Sequence, residues 1–472
     1  MKLRNLIHIP IGIVCIGLLP WAQAVVPPPD GGYPGFTTAE GTNALKNLST
    51  GVANTGIGWY SLFTNSTASY NTGVGAGTLL FNNGEENTAT GVAALLSNTD
   101  GLGNTAIGAA ALLSNTTGDV NTATGINALR SNTAGIENTA TGFDALYSNV
   151  SGDHNTATGA QALLTNDTGG DNTAAGYQAL LSNTSGAGNT ADGFQTLLNN
   201  STGNFNTATG VFALENNTTG DINVATGQQA LNHNTTGDEN VAVGASALFN
   251  KTAGTDNIAI GFSALLNNTG SGNIAIGTLA GANLTTGNSN LVIGNLLGGV
   301  AGEANTMRIG LSQFRTFISG IRGVTTGNAN AVPVVIDSDG QLGTMSSSRR
   351  FKHEIKPMDT ASQAILSLKP VTFNYKSDST NTPQFGLIAE DVAAVNPDLV
   401  VRDQNAQIYT VRYDAVNAML LNEFLKAHRK MEAQQKQIDD LTARLEQQAA
   451  QIQKVSALVE TSKPAPQLVN NP

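Results

Sequence analysis

The chain has 472 residues, of which only 12% are charged and 5% aromatic, with 53 glycines, a single cysteine and a formal net charge of -11. Such acidity excludes the basic face that nucleic-acid binding requires, and the sparse charge and aromatic content is not that of an average enzyme. Apolar content of 40% comes largely from Ala, Leu and Val, so any core must be built from small side chains in a regular arrangement.

At the N-terminus Lys2 and Arg4 precede an apolar run from Leu6 to Leu19, and Ala22-Gln23-Ala24 follows. This order predicts a secretory signal peptide over residues 1–24, cleaved after Ala24, and therefore a bacterial product that is secreted or displayed on the cell surface. The run is shorter than the ~20 residues a membrane span needs, so no span is expected once the signal is removed. Cys15 lies inside it, which leaves the mature chain without disulfides. The proline-rich residues 25–36 read as an extended linker.

From residue 37 to 305 the chain repeats. Copies of N-T-A-x-G begin at Asn54, Asn71, Asn87, Asn104, Asn121 and onward to Asn290, 17 residues apart, with 16 at the steps Asn71 to Asn87 and Asn257 to Asn273. A fixed period of this length is the signature of a stacked solenoid. In the consensus NTAxGxxALxxNxTGxx the alternating stretch predicts a strand with Ala89, Ala106, Ala123 and Ala140 on one face and the threonines on the other. Leu95, Leu112, Leu129, Leu146 and their equivalents fall four places after the glycine and predict a continuous apolar column that no single repeat could bury.

Gly91, Gly108 and Gly125, and likewise Gly101, Gly118 and Gly135, are expected at corners needing positive φ. Asn98, Asn115, Asn132 and Asn149 are expected to stack as a hydrogen-bonding ladder. The xxALxxN segments fit either a strand or a short helical turn. Fifteen coils at ~4.8 Å would give a rod of roughly 70 Å.

The phrases NIAIG at Asn257 and Asn273 and NLVIG at Asn290 resemble the β-roll repeats of trimeric autotransporter adhesin heads, and the NTAxGxxALxxNTTG form resembles tail-fibre repeats. The resemblance implies a homotrimer and, as an alternative function, a glycan-binding surface adhesin with a cell-surface ligand. Thr122 with Thr124, Thr139 with Thr141, and Thr156 with Thr158 also form T-x-T pairs similar to ice-binding solenoid faces, but Ile107, Ala175, Asp192 and Val243 interrupt the series. Aspartates keep no fixed position, which excludes calcium-binding repeats; no metal or cofactor is expected.

Residues 306–345 read as a β connector, with TFISGIRGV (Thr316 to Val324) as strand and a hairpin of Val332 to Ile336 and Gln341 to Met345 around Asp337-Ser338-Asp339-Gly340. It leads into SSSRRFKHEI, Ser346 to Ile355. A helix from Thr360 to Leu368, a strand from Val371 to Tyr375, a loop from Lys376 to Pro383 and short strands at Leu399 to Arg402 and Ile408 to Val411 follow. Ser347, Arg350, Lys352 and Ile355, with LKPVTFNYK from Leu368 and FGLIAEDV from Phe385, resemble the intramolecular chaperone domain of phage endosialidases and tail fibres, the peptidase S74 family. The resemblance covers about one hundred residues, with the domain core over 346–415.

It implies that Ser347 is the nucleophile and Lys352 the base of a single-turnover autoprotease, a serine endopeptidase acting on its own chain, with Ser348 and Arg350 supporting. A serine hydroxyl needs a neighbour to accept its proton. Lysine can do so only when neutral, which burial or nearby positive charge favours. Arg349 and Arg350 adjoin Lys352, and a trimer interface would supply burial. The family motif has the form S-D-x-R-x-K-x-x-I, and its aspartate position is Ser348 here.

From residue 416 to 460 a 3-4 spacing through Phe424, Met431, Ile438, Leu445, Ile452 and Val459 predicts a coiled coil. Residues 461–472 read as a disordered tail. The expected fold class is mainly β: a β-solenoid or β-roll stalk, a small α/β chaperone domain and a C-terminal coiled-coil helix.

Overall fold

A computed structural model describes residues 35–462 apart from 314, 319–320, 322–329, 338–339 and 404. The signal peptide, most of the linker, much of the TFISGIRGV stretch and the C-terminal tail lie outside the described residues. The described chain forms two compact units that divide after Phe317.

The first unit is a β-solenoid. Seventeen three-residue strands, β1 (Thr38–Glu40) to β17 (Met307–Ile309), pair in chain order in one parallel sheet. Sixteen steps of about 4.8 Å give a stack of about 77 Å. The register absorbs the 16-residue steps without a break: Gly73 faces Ala89 and Ala259 faces Ala275, as Ala89 faces Ala106. The stack runs one strand past the repeat, because Met307-Arg308-Ile309 keeps the register of Leu291-Val292-Ile293 without the N-T-A-x-G spelling. Arg308 stands where other strands place a small residue, and its guanidinium clasps Glu303 in a bidentate pair at 2.7 and 2.9 Å.

The expected apolar column is present. From Ala89 to Ala259 the middle alanine of each strand and the leucine beyond it, such as Ala123 and Leu129, are fully buried. Fully burying a leucine contributes ~1.5–3 kcal/mol. The segment around that leucine is neither strand nor α-helix but a series of hydrogen-bonded turns. Gly125 (φ 137), Asn127 (φ 59) and Leu129 (φ 53) are all left-handed. A non-glycine residue pays ~1–2 kcal/mol for this. The cost is offset because the same geometry turns the backbone toward the neighbouring coils, as in Leu129 N–H to the Ala145 carbonyl of the next coil at 2.9 Å and Asn127 N–H to the Ala109 carbonyl of the preceding one at 3.0 Å.

The glycines divide by role. Those ending each strand, such as Gly91 and Gly125, have positive φ as expected. Gly101, Gly118 and Gly135 do not; a Cβ at Gly118 would lie 2.5 Å from the Gly135 carbonyl oxygen and 2.5 Å from Asn115 Oδ1. Close approach between coils, not backbone hand, requires glycine there.

Two asparagine ladders run through the buried corners. In the expected one, Asn132 Nδ2 donates to Asn115 Oδ1 at 2.8 Å and to the Gly135 carbonyl at 3.0 Å, and the pattern repeats from coil to coil. The second is built from the asparagine opening each repeat: Asn138 Nδ2 donates to Asn121 Oδ1, which also accepts the Asn138 N–H. Lys251 interrupts the first ladder. It is fully buried, its ammonium donates to the Gly270 carbonyl of the next coil, and Asn234 Oδ1 is left buried without a partner. Burial lowers the Lys251 pKa to about 8.

In the second unit β18 (Val335–Ile336) and β19 (Leu342–Gly343) form the predicted hairpin. Thr316 to Ile318 are not in a strand. The segment expected as a helix from Thr360 is a 3-10 helix, Asp359–Ser367. β20 (Val371–Phe373) pairs antiparallel with β21 (Gln384–Gly386), and β22 (Val400–Arg402) with β23 (Ile408–Val411). Between them lies α1 (Ala389–Val395), and α2 (Tyr413–Thr461) closes the chain. A small core gathers Val392, Leu399, Val400, Val411 and Met419.

Candidate functional site

Ser346 to Ser348 precede a single 3-10 turn, Arg349–Phe351, held by Phe351 N–H to the Ser348 carbonyl and Lys352 N–H to the Arg349 carbonyl, both 3.1 Å. Ser348 and Lys352, flanking the turn, are extended. Arg350 lays its guanidinium over the Phe351 ring at 4.7 Å. Ser347, Ser348, Arg350 and Lys352 are all exposed, and within one chain no hydrogen bond joins the Ser347 hydroxyl to the Lys352 amine. The turn places the expected nucleophile and base on one short segment without a hydrogen bond between them.

A serine–lysine contact does occur elsewhere, at a place the sequence reading missed. Ser362 is fully buried on the 3-10 helix Asp359–Ser367, where its hydroxyl donates to Glu423 and accepts from Asn422 Nδ2 at 2.7 Å and Lys426 Nζ at 3.1 Å, all on α2. Lys426 is ion-paired with Glu423 at 2.7 Å. The Lys426 ammonium first, and the Ser362 hydroxyl second, hold the Glu423 carboxyl below the usual carboxylate range. These hydrogen bonds and the ion pair tie the 3-10 helix to α2. The i,i+3 pair of Glu423 and Lys426 was the signal available in the sequence.

The motifs around Leu368 and Phe385 meet in an apolar groove of about 710 Å³ lined by Ile365, Leu368, Val371, Phe385, Tyr413 and Leu420 among others. The Tyr413 hydroxyl accepts the Leu387 N–H at 3.0 Å and so pins β21 to the start of α2. Beyond Lys426, every described residue of α2 is exposed, including the seam residues Met431, Ile438, Leu445, Ile452 and Val459. Among the described residues there is no cluster of three metal-ligating side chains, and no helix is long and apolar enough to cross a membrane.

Comparison with protein-family models matches residues 347–401 to the peptidase S74 family, described as the chaperone of endosialidase. The match begins at Ser347, spans both motifs that line the groove, and ends before β23 and α2. No curated protein and no solved structure matches the chain.

Proposed function

We propose that this is a secreted, tail-fibre-like protein whose C-terminal unit acts as an intramolecular chaperone for a homotrimeric solenoid stalk and then releases itself by autoproteolysis. The observation that carries the reading is the peptidase S74 match at 347–401, set in the chain between a uniform solenoid and a 49-residue helix with an exposed apolar seam. A stack whose coils share one buried pattern offers little in its interior to mark register. A clamp that aligns three chains before the stalk forms removes that ambiguity. The basic, apolar and A-x-A order of residues 1–24 supports export.

In the release step the Ser347 hydroxyl attacks the carbonyl carbon of a peptide bond beside it while Lys352 accepts the hydroxyl proton. The bond to the leaving amine breaks as Lys352 returns that proton, and water hydrolyses the resulting ester. Neighbouring chains that bury Lys352 would switch on the base, which couples cutting to completed assembly.

Mass spectrometry of the purified chain should find two fragments with their boundary beside Ser347, whereas Ser347→Ala and Lys352→Ala each give one uncut species. Ser348→Asp, which restores the family's acidic position, should cut at least tenfold faster. An uncut parent chain would refute release and leave the chaperone role standing.

One observation favours a second reading, an uncleaved glycan-binding adhesin. On the solenoid surface Tyr177 and Phe194 stack at 5.4 Å, beside a glutamine ladder of Gln161, Gln178 and Gln195 joined at 2.8 and 2.7 Å. Aromatic faces flanked by amides suit sugar rings. Loss of glycan-array binding in Tyr177→Ala would support it.

A further inference from the structure

The outward face of the solenoid sheet changes character along the stack. In β6 (Thr122–Thr124), β7 (Thr139–Thr141), β8 (Thr156–Thr158) and β11 (Thr207–Thr209) both outward positions are threonine, and in β10 (Thr190–Asp192) one is aspartate. From β13 (Val241–Val243) through β14 (Ile258–Ile260), β15 (Ile274–Ile276) and β16 (Leu291–Ile293) to β17, every outward position is aliphatic. The buried middle position stays small along most of the stack, so the solenoid core does not ask for this change. Threonine serves the same strand geometry equally well, being β-branched like valine and isoleucine.

Val243, Ile260 and Ile276 are 38–41% exposed, and Met307 and Ile309 of the last strand about two-thirds exposed. Five adjacent strands of this kind form a continuous apolar strip along one face of the stack, and contiguous exposed apolar surface is where interaction sites are found.

We infer that this aliphatic zone, β13 to β17, is where the stalks of neighbouring copies of this chain pack together. The inference rests on the homotrimer reading and names the surface that reading requires. A copy related by rotation about an axis along the stack presents its rungs at the same heights, so each aliphatic rung meets its own counterpart. A heterologous partner would have to reproduce the coil-to-coil spacing to make the same contact. The zone is uncharged at all ten outward positions within a chain of net charge -11, so like charges do not oppose self-contact there. It is also the end of the stack that leads, in the chain, to the unit bearing the unpartnered apolar seam of α2. The strip is only two side chains wide at each rung, which fits an interface that adds to a coiled coil and does not act alone. Sliding one copy by a coil would leave an aliphatic rung against Thr226 of β12 (Val224–Thr226), so the boundary of the zone also marks register.

The test uses the full chain with Cys15→Ser and one new cysteine, either Ile260→Cys within the zone or Ala253→Cys at the exposed bend that precedes the same strand. Mild oxidation is followed by non-reducing electrophoresis, with sedimentation mass measured in parallel. Ile260→Cys should yield predominantly covalent dimers, and Ala253→Cys at least tenfold fewer. A three-chain mass with no Ile260 crosslink, or with equal crosslinking at both sites, would overturn the assigned surface while leaving the trimer intact. A one-chain mass would overturn the surface and the assembly reading together. Val243→Cys provides an independent second position and should crosslink as Ile260→Cys does.

Discussion

A single methyl group added at Gly125 is expected to cost the stalk about 4 kcal/mol or more and to divide it into two blocks. Gly125 has φ 137, a conformation L side chains rarely adopt, and its added Cβ would lie 2.3 Å from the Gly142 carbonyl oxygen and 2.7 Å from the carbonyl carbon. Both are backbone atoms of the next coil, so relief requires moving the coil and breaking hydrogen bonds such as Gly125 N–H to the Ile107 carbonyl at 2.7 Å. Strain at a special backbone position and backbone overlap are both among the mechanisms that produce unusually large losses. In a stack where each coil touches only its neighbours, the damage stays local and uncouples the coils on either side. Calorimetry of Gly125→Ala should resolve two transitions below the parent's, with new proteolysis between residues 118 and 130. Ile126→Ala, at an exposed neighbour, should stay within about 0.5 kcal/mol of the parent. A single transition at the parent temperature for Gly125→Ala would contradict the packing described.

Lys251→Asn is expected to act in the opposite direction, stabilising the stalk by about 3 kcal/mol at pH 7. Asparagine at this position would donate to the stranded Asn234 Oδ1 and to the Gly254 carbonyl, as its counterparts do in other coils. It would also remove a buried ammonium. The folded-state pKa of Lys251, about 8, lies below the ordinary 10.5, so between these values the unfolded chain holds more protons than the folded one. Stability therefore rises with pH across that window. The penalty is fully present below pH 8 and fades as pH rises toward 10.5, and the lowering corresponds to about 3 kcal/mol. Urea unfolding of both chains at pH 7 and pH 10 should show a large gap at pH 7 and a smaller one at pH 10. A gap independent of pH, or a variant less stable than the parent, would contradict the assignment.

Much of this architecture was legible in the residues because the repeat writes the same instruction many times. The alanine and leucine positions fixed what faces inward, and Ile408 to Val411 was readable as a strand from its own composition. What could not be read depended on neighbours. Leu129 and its equivalents adopt a left-handed backbone against their intrinsic preference, because bonds to the next coil outweigh it. Gly118 resembles a turn glycine until the Gly135 carbonyl behind it is placed. β17 carries no consensus spelling and is recruited by the register of β16. Lys251 reads as a solvated lysine and is buried only because the ladder position is buried. Ser347 and Lys352 were identifiable through the family pattern, but their separation in a single exposed chain shows that local sequence does not complete the dyad.

We propose that the C-terminal unit directs assembly of the stalk. The most direct test compares the sedimentation mass of two chains expressed in parallel: full-length Ser347→Ala, which stays uncut, and a chain ending at residue 345. The full-length chain should sediment as three copies, and the shortened chain should appear as single copies or aggregate. A shortened chain that forms the same three-copy species in the same yield, or a full-length chain that remains a single copy, would contradict it.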